Sequence, residues 1–258
     1  MKRTLDTLNR KEAENARKMT VKEHYDNHLG RFYSWMTGDF HTKSNEFKIF
    51  LTDNFVKPSS NKIAIDLGAG HGLQSIPLAE IGFQVLAIDF NQELLDELNV
   101  NAKDLNITVI NDDIKKIESF ANQPELIICC GDTLSHLDNK SEVKTFIADI
   151  VKSLGNNGKL ILSFRDYSTK LTGIDRFIPV KSDGNKILTC ILDYEDEFVN
   201  VTDLLHERTN DVWEQKISSY KKVRLLTNEI VGYLEANGMT INFNQLVNRL
   251  TTIIATKE

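Results

Sequence analysis

The sequence predicts an α/β fold, a mostly parallel sheet with helices on both faces, and three observations carry that prediction. Strand-like and helix-like segments alternate from Lys62 to Phe164, the pattern of a sheet built from successive β–α units. The strand segments are apolar along nearly their whole length, as strands covered on both sides must be. The first of them ends in Asp66 and runs directly into glycines at 68, 70 and 72, a turn that belongs at the carboxyl end of such a strand. With 258 residues, 41% of them hydrophobic and 26% charged, the chain is long enough to bury the core of one large domain, or of a domain with an insertion.

Taken in order, residues 1–57 are polar and helical in character and form an expected N-terminal helical lid segment. Within them lies an aromatic and histidine-rich stretch from His24 to Met36. Lys57-Pro58-Ser59-Ser60-Asn61 reads as a linker, because Pro and Ser favour turns. The core, 58–174, follows. Lys62–Leu67 is its first strand, and Leu73–Ile81 a helix in which Pro77 must lie near the first turns or cause a kink. Gln84–Asp89 is the second strand, and Gln92–Leu98 a helix with Leu94, Leu95 and Leu98 on one face. Ile107–Ile110 and Leu126–Cys130 are two further strands. Val143, Phe146, Ile147, Ile150, Val151 and Leu154 repeat at helical spacing, with Gly155 expected as the left-handed stop. Lys159–Phe164 is the fifth strand. Over 175–226 the pattern changes to three strands, Lys186–Tyr194, Phe198–Leu205 and Trp213–Leu226, separated by short polar turns, which suggests an inserted antiparallel β meander. Residues 227–258 complete the core: Thr227 is expected to cap a helix that runs to Asn237 and stops at Gly238, and Thr240–Leu246 and Leu250–Thr256 bring the sheet to seven strands.

The formal net charge of −6 speaks against general affinity for nucleic acid or an anionic membrane. The longest apolar run, Leu126–Cys130, is far too short to span a bilayer, and the first eighteen residues carry charges throughout with no apolar stretch of a secretory signal. Cys129, Cys130 and Cys190 are odd in number and lack metal-ligand spacing. The expectation is a reduced, cytoplasmic protein.

The most specific motif is Ile63-Ala64-Ile65-Asp66-Leu67-Gly68-Ala69-Gly70-His71-Gly72. Glycines permit positive φ and let a ligand approach the backbone, and the helix beyond presents free N–H groups. Dinucleotide sites favour G-x-G-x-x-G, whereas this turn is G-x-G-x-G with an acid before it. Asp89 closes the next strand, placed to accept hydrogen bonds from both hydroxyls of a ribose. Asp112-Asp113-Ile114 follows the third strand, where an acid could meet an adenine amino group.

On these residues the chain resembles the class I S-adenosylmethionine-dependent methyltransferases, with IDLGAGHG, AIDFN (Ala87–Asn91), NDDI (Asn111–Ile114) and ICCGDTLSHL (Ile128–Leu137) in family order and spacing. The resemblance implies a Rossmann-like core. It also implies S-adenosylmethionine as cofactor, S-adenosylhomocysteine as product, and no metal. Asp66, Gly68, Ala69, Gly70 and Gly72 would cradle the methionine part, Asp89 the ribose, and Phe90, Asp113 and Ile114 the adenine. The backbone at Cys130 and Gly131 would approach the methionine part. The aromatic stretch, the GDTLSHL loop and the meander are partly similar to glycine/sarcosine N-methyltransferases. An amine-bearing small molecule is thus the favoured acceptor, with O- or S-methylation open.

Methyl transfer from a sulfonium needs an acceptor held in line, a suitable protonation state and exclusion of water. His136 reads either as an acceptor-orienting group or base, since imidazole titrates near neutrality, or as a helix-start histidine bonded to a loop carbonyl. Asp132 would bind an ammonium or cap the next helix. Arg165 would clamp a substrate carboxylate or pair with a neighbouring acid, and Tyr167 would line the pocket. Tyr25, Tyr33 and Trp35 would close over a cation or simply pack. His24, His28 and His41 hint at a metal, but no second ligand pair has matching spacing. The run Ser219–Arg224 reads as an exposed strand face rather than an RNA contact. A non-catalytic binder of the same cofactor, an NAD-dependent oxidoreductase and an RNA or protein methyltransferase are the rivals. The chain is expected to act as a monomer or homodimer.

Overall fold

The computed structural model describes residues 19–120 and 123–258. They fall into two compact units, one of residues 37–168 and 224–258, the other of residues up to 36 and 169–223. The segment expected as one helical lid over 1–57 is therefore divided, and its first eighteen residues lie outside the described residues. Helix α1, Phe40–Asp53, belongs to the first unit. Asp39 caps it by accepting from the Thr42 amide at 2.8 Å, and Leu51 is wholly buried in the core beneath Phe47 and Phe50.

The first unit is built on β1 (Ile63–Leu67), β2 (Gln84–Asp89), β3 (Ile107–Asn111), β4 (Leu126–Cys129), β5 (Lys159–Phe164), and a late pair that the meander precedes in the chain. Helices α2 (Ser75–Glu80), α3 (Gln92–Ala102) and α4 (Lys140–Ser153) connect them. Pro77 is the third residue of α2, where its missing N–H has no partner to lose. β1 pairs parallel to both β2 and β4, with Asp66 opposite Ala87 on one side and Ile128 on the other. The chain thus runs outward from β1 to β3 and then returns to β4 on β1's other edge, and that reversal creates a crevice at the carboxyl ends. One face of the sheet buries Ala64, Val85, Ala87, Leu126 and Ile128 with Leu95 and Leu98 of α3. Residues of the opposite parity, Ile65, Leu67, Ile88 and Ile127, are equally buried, so both faces are covered.

Two boundaries differ from expectation. Gly155 is not a left-handed stop; the helix ends at Leu154 in an extended conformation, and Asn157 takes the positive φ. A Cβ at Gly155 would sit 2.9 Å from the Gln123 carbonyl, so this glycine serves a close backbone approach. Thr227 is likewise not the cap of its helix α5 (Thr227–Ala236) but its first residue. Asp166, from the segment after β5, accepts from both the Thr227 amide and its hydroxyl. Gly238 does end the helix with positive φ.

The second unit is an antiparallel sheet of β6 (Phe177–Ser182), β7 (Lys186–Tyr194), β8 (Phe198–Thr209) and β9 (Val212–Val223), with one more strand than the sequence suggested. Strand β6 escaped detection because Pro179 sits inside it; it is an edge strand, where a missing N–H is tolerated. The late pair of the first unit, β10 (Met239–Val247) and β11 (Leu250–Lys257), adds antiparallel to β5 and completes seven strands among the described residues. The basic run is corrected as well: Tyr220 and Lys222 are buried, and Arg224 donates to the carbonyls of Tyr167 and Ser168. No described helix is long and apolar enough to cross a membrane.

The second unit also holds a short helix, Val21–His24, closed by a reciprocal Thr20–Glu23 cap, which continues through a wide π-type turn at Tyr25–Leu29. Leu29 and Phe32 bury against Leu188 and Leu205 of the sheet, with Tyr25, Tyr33, Trp35 and Met36 packed around them. His24 is fully buried: Nδ1 lies 2.7 Å from Ser218 Oγ and Nε2 3.2 Å from Asp203, and its ring stacks on Tyr220 at 4.0 Å. These contacts account for the burial of His24; among the described residues no group of three potential ligands converges.

His28 lies with its ring 5.4 Å from His24, and burial first, then the neighbouring His24, hold its pKa down to about 4. The folded unit keeps it neutral, whereas the unfolded chain protonates it below about 6.5. Its contribution to stability is complete above pH 6.5 and is lost as pH falls toward 4. Both tryptophans, Trp35 and Trp213, belong to this unit. Tryptophan fluorescence should therefore report acid unfolding beginning in that window, and His28→Leu should move the onset to lower pH. An unchanged onset would assign the acid sensitivity to another group.

Candidate cofactor and acceptor site

The turn after β1 is held by backbone bonds to the neighbouring strand: the amides of Gly68 and Ala69 both donate to the Ile88 carbonyl, at 2.8 and 3.0 Å. Gly68, Gly70 and Gly72 have φ of 81°, 51° and 95°, the left-handed region that the sequence spacing required. At Gly68 the lack of a side chain is also steric, because a Cβ would collide with Thr133 in the loop after β4. The loops after β1 and β4, which flank the switch point, thus touch through Gly68 and Thr133.

Asp89 ends β2 and is buried. One carboxylate oxygen accepts from the Gly70 amide at 2.8 Å and the other from the Asn91 amide at 2.9 Å. The two oxygens together tie the glycine turn to the start of the following helix. Phe90 beside it is half-buried, its carbonyl accepting from Asn111. Asp113 is exposed and caps the turn that starts at Ile114, accepting from the Lys115 amide at 2.9 Å. After β4, Cys130 is buried and its thiol pushed up to about 12 by that burial, which rules out a reactive thiolate. The Gly131 amide donates to Ser163 Oγ at 2.8 Å. Gly131 has φ of 79°, and a Cβ there would meet nothing within 4 Å, so the backbone lies open to a ligand at this point.

On the acceptor side, Asp132 and Arg165 are brought together: the Arg165 amide donates to Asp132 Oδ1 at 3.2 Å. Asp132 makes no side-chain cap to the Thr133–His136 turn. Arg165 itself is exposed. His136 is half-buried at the end of its turn, between the buried Ser135 and Leu137. Tyr167 departs from expectation. It is 2% exposed, its amide bonded to the Leu225 carbonyl at 2.9 Å, and so acts as core rather than pocket wall. Tyr25, Tyr33 and Trp35 belong to the other unit. Trp35 is engaged there, donating to Asp183 at 2.5 Å with Lys181 and Lys186 over its ring.

The sequence reading missed Ser75, Asn91, Thr133 and Ser163, all uncharged residues whose importance lies in what they hold. Only Asn91 had a legible signal, as the N-cap of α3. Ser75 matters most, because its hydroxyl donates to Asp66 at 2.6 Å in a site where Asp66 is 1% exposed.

Residues 64–158 match a family model described as a methyltransferase domain. The glycine/sarcosine N-methyltransferase of Aphanothece halophytica is 27% identical over 160 residues, 60% of this chain and 60% of that protein. The ubiquinone biosynthesis O-methyltransferase of Rickettsia akari is 30% identical over 115 residues, 44% of each. The matched region thus spans less than two thirds of either relative's length. An S-adenosylmethionine-bound amino pentose methyltransferase from Micromonospora echinaspora shares the fold, with a TM-score of 0.69 at 12% identity over 89% of this chain and 97% of that one. Residues 64–158 thus form a methyltransferase domain, with the fold seen in structures that bind S-adenosylmethionine. The open backbone at Gly131 and the three positive-φ glycines fit that molecule.

Burial lifts the Asp66 pKa to about 7, opposed by the Ser75 hydrogen bond and reinforced by Asp89. In the unfolded chain the group ionises near 3.9. The folded state therefore binds the extra proton between those values, and stability from this group falls as pH rises from about 4 to 7. Asp66→Asn, which keeps an acceptor for Ser75, should raise the melting temperature at pH 8 by several degrees and by a clearly smaller amount at pH 5. An equal increment over wild type at both pH values would show that Asp66 is ionised in the fold.

Proposed function

We propose that this chain is a methyltransferase that moves a methyl group to a nucleophilic nitrogen of a small-molecule acceptor. The observation that carries the reading is the crevice at the switch point, where a buried Asp89 at the end of β2 fixes the glycine turn. Bound S-adenosylmethionine supplies an activated methyl on a sulfonium. Gly68, Ala69, Gly70 and Gly72, with Cys130 and Gly131, would take its methionine part and Asp89 its ribose hydroxyls. Phe90, Asp113 and Ile114 would take the adenine, and the buried Asp66 supports the turn from beneath.

The nitrogen acceptor is favoured by the likeness to the glycine/sarcosine enzyme and by the Asp132–Arg165 pair. A carboxylate attracts an ammonium, and an exposed guanidinium suits a carboxylate on the same molecule. An ammonium must lose a proton before it can attack, and His136, in the loop after β4, would receive that proton while orienting the nitrogen. Oxygen acceptors form a second reading, favoured by the match to the ubiquinone biosynthesis enzyme.

Calorimetric titration with S-adenosylmethionine, S-adenosylhomocysteine and NAD, followed by labelled-methyl uptake into amines, phenols and thiols, tests the proposal. The first two ligands should bind at micromolar concentration and NAD should not. Uptake by no acceptor would leave a binding protein instead of an enzyme. Asp89→Ala removes charge-assisted hydrogen bonds worth ~1.5–3 kcal/mol each, so affinity for S-adenosylmethionine should fall by about 10- to 100-fold or more. An unchanged affinity in a folded variant would displace the ribose from Asp89. His136→Ala should lower kcat by about 10²-fold or more with cofactor affinity within about twofold of wild type; wild-type turnover would reduce His136 to a structural residue.

A further inference from the structure

The antiparallel sheet has two faces of different character. Alternate residues of β8, from Val199 to Leu205, are buried, and they share their face with Leu188, Ser218 and Tyr220 through the strand register. The opposite parity forms a second face. Register places Leu204 between Thr189 and Ile217, and Thr202 between Ile191 and Ser219, with Phe177 paired to Ile191. Phe177, Ile187, Trp213 and Ile217 on this face are 50%, 41%, 45% and 55% exposed. Large apolar side chains at that exposure on one face, interspersed with His206, Arg208 and Gln215, mark an interaction surface.

We propose that this face is where two copies of the chain pack against each other, sheet on sheet. Its charged groups are already answered within the unit: Arg176 by Asp193, Arg208 by Asp211 and Lys221 by Glu195. Two-fold symmetry brings a patch against itself, so an unanswered charge would meet its own copy, and none of these does. With those basic groups paired to acids, the face offers little to a polyanion, which needs available basic groups. The size suits a second copy. Four strands about 4.8 Å apart and roughly 30 Å long present roughly 600 Å² before side-chain relief is counted, near the ~800 Å² per partner of a stable interface. The sheet's edges direct partners to the face. β6 carries Pro179, Lys181 and an irregular register at one edge, and β9 carries Lys216 and Lys221 at the other, features that discourage strand addition.

Sedimentation equilibrium of the full chain across about 1–100 µM tests this directly. The wild type should be a dimer with micromolar or tighter Kd, and the Ile187→Glu/Ile217→Glu double variant a monomer, its Kd weakened at least 100-fold. Both changes fall on exposed positions, and far-UV circular dichroism checks that the variant is folded. Mixing Ile217→Lys with Ile217→Glu should restore a dimer that neither forms alone. A wild type that stays monomeric at 100 µM, or a folded double variant that still dimerises, would overturn the proposal.

Discussion

The carboxylate of Asp89 is the contact on which the site depends. It sits at the end of one parallel strand and receives an amide from the turn that leaves its neighbour, Gly70, and another from the residue that caps the following helix, Asn91. A G-x-G-x-G loop on its own has too much conformational freedom to hold one shape. Two charge-assisted bonds in a buried place, together with the paired amides of Gly68 and Ala69 on the Ile88 carbonyl, convert that freedom into a fixed cradle. The same carboxylate is the group proposed for the ribose, so the anchor of the turn and the proposed recognition of the ligand are one residue.

Beneath that cradle burial favours the neutral form of several ionisable groups. Asp66 has a single hydroxyl partner and an elevated pKa; the Cys129 and Cys130 thiols are pushed up by burial. A charge buried without a counter-ion is costly, and protonation is the cheaper state. The second unit meets the same problem differently, burying His24 between Ser218 and Asp203.

The acceptor side is built from less rigid parts. Asp132 and Arg165 are joined by a main-chain bond while the guanidinium stays in solvent, an arrangement that fixes a charge pattern and leaves reach to the side chain. Tyr167 belongs instead to the core, where Arg224 binds its carbonyl. Chemical type alone, an aromatic after an arginine at a strand's end, did not distinguish pocket from packing.

What the sequence determined by itself is what local chemistry dictates. Apolar runs of strand length gave β2 and β5 to the residue, helical spacing gave α4, and glycines that must adopt positive φ gave the turn at 68–72. The order of those elements also fixed a parallel core and the crevice at its reversal, because β–α units permit few other connections. Tertiary structure alone decided the rest, each time because the partner lies far away in the chain. Asp166 rather than Thr227 caps α5 from 61 residues earlier, Gly155 donates its amide to the carbonyl of Pro124 and leaves room for that of Gln123, and Ser75 answers Asp66. The burial of Tyr220 and Lys222 within a basic run follows from the register of β9 on β8. A hydrogen-bond partner or a buried face is a fact of three-dimensional proximity, and residue type and spacing carry it only when both partners fall within the same turn, strand or helix.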